Sequence, residues 1–268
     1  MKRKLILPFL ILTAALAVSG CKSKSYEKID LTSTHTEASK DSEKETLAET
    51  ATAPTQPEET TVGNAEASVT ASLTSYSTGE ISIQYPVVSY KDSSSKETKA
   101  NQLLKDNAMS ILTAYEVDES KDSLELECQV ISIDRKKICA VYTGLFTADG
   151  AAHPQNLFFT NTVDFDDGTN IRLMDYCDAA TLADFILSDE CQFYNVSAEL
   201  DKELRKSVKT QDKDYYESLF KQADFSVEEN AAFPESFSYE KQGLIYFSIP
   251  VQHALGDYAI VKYTPETK

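Results

Sequence analysis

Between residues 22 and 67 the large apolar side chains are Tyr26, Ile29, Leu31, Leu47 and Val62 and no others; the rest is dominated by Ser, Thr, Glu, Lys and Ala, with Pro54 and Pro57. Such a stretch buries too little apolar surface to offset the entropy of ordering the chain. Any fold must therefore be made by the roughly 200 residues that follow, enough for one sizeable core or two small ones. The polar stretch, with His35 inside it, reads as a solvated tether. As a flexible coil its mean reach is about 35–40 Å, and about 150 Å when fully stretched.

The residues before the tether read as an export signal. Lys2, Arg3 and Lys4 precede an apolar run from Leu5 to Val18 broken only by Pro8 and Thr13. That run is a charged n-region followed by a short h-region, and it falls short of the ~20 apolar residues that span a bilayer. Val18-Ser19-Gly20-Cys21 resembles the bacterial lipobox, a branched apolar residue and two small ones before a cysteine. The layout predicted is a lipoprotein signal over 1–20, a lipidated Cys21 opening a tether over 21–67, and an extracytoplasmic domain over 68–268. Lipid on Cys21 is the predicted membrane contact, because two acyl chains anchor stably where one does not.

The chain carries 43 Asp plus Glu against 26 Lys plus Arg, a formal charge of −17. With no basic patch or Arg-rich helix, nucleic acid is not a predicted partner; cationic proteins or peptides outside the cell are. Four cysteines follow the tether: Cys128, Cys139, Cys177 and Cys191. An even number in an exported chain permits two disulfides, with Cys128 and Cys139 facing each other across successive strands, or else four buried free thiols. No pair has the CxxC spacing of a zinc knuckle.

Residue periodicity gives the element order. Ile81, Ile83, Tyr85 and Val87 alternate with polar neighbours and predict a strand over Ile81–Tyr90. Ser94 with Glu97 forms a capping box ahead of Ala100, Leu104, Ala108 and Ile111 at helical spacing. Leu124, Leu126, Cys128 and Val130 alternate with Glu125, Glu127 and Gln129 as a half-buried strand. Its antiparallel partner runs from Ile138 to Phe146. A further strand carries Leu157, Phe159, Val163 and Phe165 to the Asp166-Asp167-Gly168 turn, with Ile171 and Leu173 continuing it. Helices are predicted within Ala179–Leu187, 198–209 and 214–222, and closing strands over 243–249 and Tyr258–Tyr263. The fold class is α+β, helices packed on a mainly antiparallel sheet.

No GxSxG, HExxH, GxxxxGK[ST] or GxGxxG motif occurs, and eight glycines, three histidines and no tryptophan are thin material for phosphate cradles or sugar platforms. No cofactor and no metal is predicted. His153 follows Asp149, and His253 stands near Asp257; each pairing is what a general base needs.

Tyr142-Thr143-Gly144 through Ala151-Ala152-His153-Pro154, then Phe165-Asp166-Asp167-Gly168 to Leu173-Met174-Asp175, is similar to the extracytoplasmic domain shared by the lysozyme-sensing anti-sigma factor RsiV and the peptidoglycan deacetylase PdaC. Gly243 to Phe247 and Gly256 to Ala259 resemble its closing strands. The sequence departs from the pattern at Ala151, where the family has a glycine, and in a shortened stretch before the last strand. The resemblance implies an α+β fold and a wall-facing binding role; it implies neither signalling through a sigma factor nor deacetylation. The candidate binding residues are His153, Pro154, Gly150 and Tyr142, with a cell-wall component such as peptidoglycan or a cationic protein such as lysozyme as partner. The alternative is an envelope hydrolase acting on wall sugars or peptides, which requires His153 or His253 to converge with carboxylates.

Replacing Cys21 with serine removes the acylation point, so Cys21→Ser protein is expected in the soluble fraction after a salt wash. Retention in the membrane pellet contradicts the lipoprotein reading.

Overall fold

The computed structural model of the chain describes residues 69–91, 95–226 and 231–265. All lie in the second of the two units into which the chain divides, residues 55–268. The signal segment, Cys21, the tether and Ser94 fall outside the described residues.

Strands β1 (Val69–Thr78) and β2 (Ile81–Tyr90) form a hairpin, followed by helix α1 (Ser95–Ala114). Strands β3 (Ser123–Ile133), β4 (Lys137–Thr147), β5 (Gln155–Asp164) and the short β6 (Thr169–Asn170) complete a six-stranded sheet in the order β1-β2-β3-β4-β5-β6. The β2–β3 pair is parallel, since α1 carries the chain back between them, and the other neighbours are antiparallel. Then come α2 (Leu173–Tyr176), α3 (Ala179–Leu187), β7 (Gln192–Phe193), α4 (Ala198–Val208) and α5 (Lys213–Lys221). Strands β8 (Ser238–Lys241), β9 (Leu244–Pro250) and β10 (Tyr258–Tyr263), with a 3-10 turn at His253–Leu255, build a second, four-stranded sheet in the order β7-β10-β9-β8. The class is α+β.

Local chemistry sets these boundaries. Asp178, Ser197 and Asp212 cap α3, α4 and α5 by accepting from the backbone N–H of Thr181, Leu200 and Tyr215, each satisfying a donor the helix cannot. Asp134 accepts from the N–H groups of Lys136 and Lys137 at 2.6 and 3.0 Å and so fixes the β3–β4 turn. Asp164 does the same for Asp166 and Asp167, while Gly168 takes the left-handed conformation (φ 66°) that closes the turn. Glu97 accepts from the backbone N–H of Tyr90, tying the start of α1 to the end of β2.

The layers run helix, sheet, sheet, helices. One face of the large sheet buries Leu124, Leu126, Tyr142 and Phe159 against Ala108 and Ile111 of α1. Its other face meets the small sheet through Cys139, Val141, Tyr239, Tyr246 and Ile260, with Phe158 stacked on Tyr258 at 5.0 Å. The far face of the small sheet packs Ile245, Phe247, Ile249 and Val261 on Leu182, Ile186, Leu204 and Phe220 of the helices. Strand β4 is therefore buried on both faces from Ile138 to Tyr142, whereas β3 lies beyond the small sheet and leaves Glu125, Glu127 and Gln129 exposed.

Two expectations are corrected. Strand β6 ends at Asn170, and Leu173 opens α2 rather than prolonging the strand, because its N–H is taken by Asp224. Cys128 and Cys139 do not face each other: Cys128 stands opposite Tyr142, and Cys139 opposite Ser132 beyond a bulge. They point to opposite faces of the sheet, Cys128 toward α1 and Cys139 toward the small sheet. All four cysteines are free thiols. Burial pushes the Cys128 thiol up to about 12 and those of Cys139 and Cys191 to about 11, so they are protonated and unreactive.

Asp224 joins the layers. Fully buried in a left-handed conformation (φ 62°), its carboxylate accepts from the backbone N–H and Oγ of Ser238 (both 2.6 Å), the N–H of Leu173 (2.7 Å) and Oγ1 of Thr160 (3.4 Å). Those donors sit on β8, α2 and β5. Burial pushes the Asp224 carboxyl up to about 6, the hydrogen bonds pulling the other way. A carboxyl raised on folding binds more protons in the folded state, so its contribution to stability is present below the unfolded pKa of ~3.9 and is lost as pH rises through about 6. Asp224→Asn turns one acceptor oxygen into an NH2 that faces a donor, an expected loss of about 1–3 kcal/mol near pH 4. The gap between wild type and variant, read from urea unfolding, is expected to narrow between pH 4 and pH 7. A gap independent of pH contradicts a carboxyl that titrates near 6.

Candidate functional site

Strand ends and loops gather at one end of the two sheets. Gly79, in the β1–β2 turn, lies so close to the carbonyl oxygen of Glu119 that a Cβ there would approach it to 3.0 Å, and the hydroxyl of Tyr76 donates to Oε1 of Glu119 at 3.0 Å. Asp122, buried at the close of the α1–β3 loop, accepts from the N–H of Asp118 (2.8 Å) through one oxygen and from the N–H of Asp149 (2.7 Å) through the other. The β4–β5 loop is thus fastened to the α1–β3 loop by one carboxylate.

A second carboxylate fastens the same end to the small sheet. Asp257 precedes β10 in a left-handed conformation (φ 70°), after Gly256 at φ 107°, and its carbonyl accepts from the N–H of Val251 at 2.9 Å to close the β9–β10 loop. One side-chain oxygen accepts from the N–H and Nδ2 of Asn156, at 2.8 and 3.0 Å. The other meets Nδ1 of His253 at 2.8 Å. The His253 ring in turn stacks on His153, centroids 5.9 Å apart and planes 24° from parallel. The histidine of each sheet's loop therefore rests on the other.

Gly144 permits the strands to approach here. A Cβ at this position would overlap the carbonyl of Glu125 on β3, so β3 and β4 cross closely where β4 leads into the loop.

Among the predicted binding residues, His153 and Pro154 are exposed on the β4–β5 loop. Gly150 holds a left-handed turn (φ 75°) with open space around it. Tyr142 does not join them. It is fully buried, stacked on Phe159 with centroids 4.4 Å apart, and cannot touch a ligand at the surface. The pairing of Asp257 with His253 is present as the sequence neighbours suggested; Asp149 meets Asp122 through its backbone and takes no part with His153. Asp122 and Asn156 were not foreseen. Each is an ordinary polar residue in sequence, and only the fold brings its partner within reach.

The surface around this clasp is acidic, with Glu80, Glu116, Glu119 and Asp149 exposed and Lys121 paired to Asp118 at 2.8 Å. Lys121 and Ser120 together hold the Asp118 carboxyl down to about 2. Chemically, a carboxylate-backed imidazole is half of a hydrolytic apparatus, but among the described residues no hydroxyl or thiol is hydrogen-bonded to either ring. Nor is any group of three or more His, Cys, Asp or Glu placed there to hold a metal ion.

A cavity of about 580 Å³ lies elsewhere, between Arg172, Tyr215, Gln222 and Phe233. Its floor is Asp224, whose oxygens are already occupied.

No protein-family model matches the chain, and no curated protein matches it. Among solved structures it is similar to a DUF3298 family protein from Pseudomonas aeruginosa PAO1, at a TM-score of 0.37 and 10% identity over 72% of this chain and 89% of that one. A member of the same family from Bacteroides fragilis NCTC 9343 gives a TM-score of 0.35 and 10% identity, over 77% and 90%. Likeness at this level assigns neither family nor activity.

Asp257→Gly removes the carboxylate without adding strain at a left-handed position. The Asn156 amide, left without its acceptor, is expected to lose its protection from hydrogen exchange, and the protein about 1–3 kcal/mol of stability. Unchanged protection at Asn156 contradicts the role given to this side chain.

Proposed function

We propose that the chain is a lipid-anchored extracytoplasmic binding protein, and that the clasped loops at this end are its binding face, fitted to a cationic protein of the lysozyme kind. The observation that carries the reading is the set of exposed acids Glu80, Glu116, Glu119 and Asp149 on the turns and loops at the end fastened by Asp122 and Asp257. Loops held on rigid sheets are where binding residues concentrate. Loops fixed before encounter avoid the entropy loss that ordering them on binding would impose. The anchor comes from the lipobox at Cys21, and the motif resemblance supports a wall-facing role. Among the described residues no helix is long and apolar enough to cross a membrane, so the lipid is the membrane contact this reading relies on.

Charge selects between partners. A chain of net charge −17 attracts cations and repels anionic wall polymers. Exposed charges are screened beyond about 8 Å at physiological salt, so attraction by charge alone disappears as salt rises, while a fitted contact keeps part of its affinity.

Titration of the full chain with lysozyme by calorimetry at low and high salt is expected to give saturable binding at both, weaker at high salt. Reversing charge with Glu119→Lys and Asp149→Lys together is expected to slow association about ten-fold. No saturable binding at low salt, or tight binding to peptidoglycan fragments in its place, contradicts this partner.

A further inference from the structure

The geometry points to a binding site for a borderline divalent cation such as Zn2+ at the paired rings of His153 and His253. The two imidazoles come from different sheets, a hundred positions apart in the chain, yet stand with ring centroids 5.9 Å apart. Two imidazoles that each bind one ion through a bond of ~2.0 Å have rings on the order of 5–6 Å apart. The spacing matches a shared ion, and the stacked rings, 24° from parallel, must rotate about their side-chain torsions until their in-plane lone pairs converge on it.

The surroundings of His253 fit a ligand more closely than a chance surface histidine. Its Nδ1 is engaged by Oδ1 of Asp257 at 2.8 Å, which favours the ring proton there and leaves the lone pair on Nε2 for a ligand. A carboxylate behind a ligating imidazole is the recurring arrangement that fixes tautomer and orientation and raises ligand basicity. Asp257 is itself held: its side chain is 11% exposed, and its other oxygen is anchored by the N–H and Nδ2 of Asn156. The ring of His253 remains 53% exposed, so an ion reaches it from solvent without rearrangement.

Nitrogen ligands select Zn2+, Cu2+ or Ni2+ over Mg2+ and Ca2+, which prefer oxygen. Among the described residues no third His, Cys, Asp or Glu joins the pair, so water completes the coordination shell and the site is open. An ion bound there bolts the β4–β5 loop of one sheet to the β9–β10 loop of the other. The inference does not depend on the identity of the protein partner.

Zn2+ titrated into the full chain by calorimetry, with excess Mg2+ present, is expected to show one saturable equivalent. His153→Gln and His253→Gln are each expected to lower the affinity about ten-fold or more, and Asp257→Asn about ten-fold, with circular dichroism unchanged. Asn tolerates the left-handed backbone at 257, so that variant tests the carboxylate rather than the fold. Loss of one equivalent in the histidine variants, with any thiol-bound Zn2+ persisting, supports the site. No saturable Zn2+ binding, or binding unaltered in both histidine variants, overturns it.

Discussion

A carboxylate removed from water must have its oxygens occupied by donors or surrender its charge, and Asp224 does the first across three elements at once. Its oxygens collect donors from β5 of the large sheet, β8 of the small sheet and the first turn of α2. The N–H of Asp224 itself donates to the carbonyl of Ser236, just before β8. Thr160 reinforces the joint by donating to the carbonyl of Ser238 at 2.6 Å. Hydrophobic contact between two sheets is non-directional. Cys139, Val141, Tyr239 and Tyr246 alone would leave the sheets free to slide, whereas Asp224, bonded to β8 and α2, and Thr160, donating from β5 to Ser238, fix where β8 sits against β5.

The clasped loop end depends on that placement. His153 belongs to a loop of the large sheet and His253 to a loop of the small one, and they stack only when the sheets dock in this alignment. The same holds for Asn156 and Asp257, whose hydrogen bonds are the second fixed point between the layers. Between the two carboxylates lie the stacked rings of Phe158 and Tyr258, which fill the interface with apolar surface. A lateral shift of one strand repeat would separate the histidines, strand Asp257 without donors and open the loop end. The loop end and the core joint are thus one mechanical unit, tied by the buried Asp224, the partly buried Asp257 and the aromatic contact between them.

Much of the layout was legible. Ile81–Tyr90 and Ala179–Leu187 were read with the bounds the structure gives: the strand alternates clearly, and the helix is a short apolar run between polar neighbours. Strand β1 was missed, since Val69–Thr78 is largely Ser and Thr and lacks the large apolar alternation that announces a strand, although it pairs along its whole length with β2. The second sheet was hidden because β7 and β8 are too short to show a period. Its two longer strands, β9 and β10, were read as closing strands, but nothing in their periodicity separates them from the large sheet. Cysteine pairing across the strands failed because the β3–β4 register sets Cys128 against Tyr142, three residues from Cys139, and no spacing rule reveals a register. Of the site, His153 and the His253–Asp257 neighbourhood were visible, whereas their meeting was not. Tyr142 lay within the matching motif, and its cross-strand neighbours Cys128 and Phe159, which place it inward, are set by a register visible only in the structure. Asp224 was one acid among 43.

The central claim is that the clasped loop end is where this protein meets its partner. Hydrogen-exchange mass spectrometry of the full chain with and without saturating lysozyme reads that location directly. The account predicts added protection in the segments around 79–80, 115–122, 148–156 and 251–257, with the helical layer of α3 to α5 unaffected. Protection confined to the helical layer, or spread evenly over the acidic surface, would contradict it.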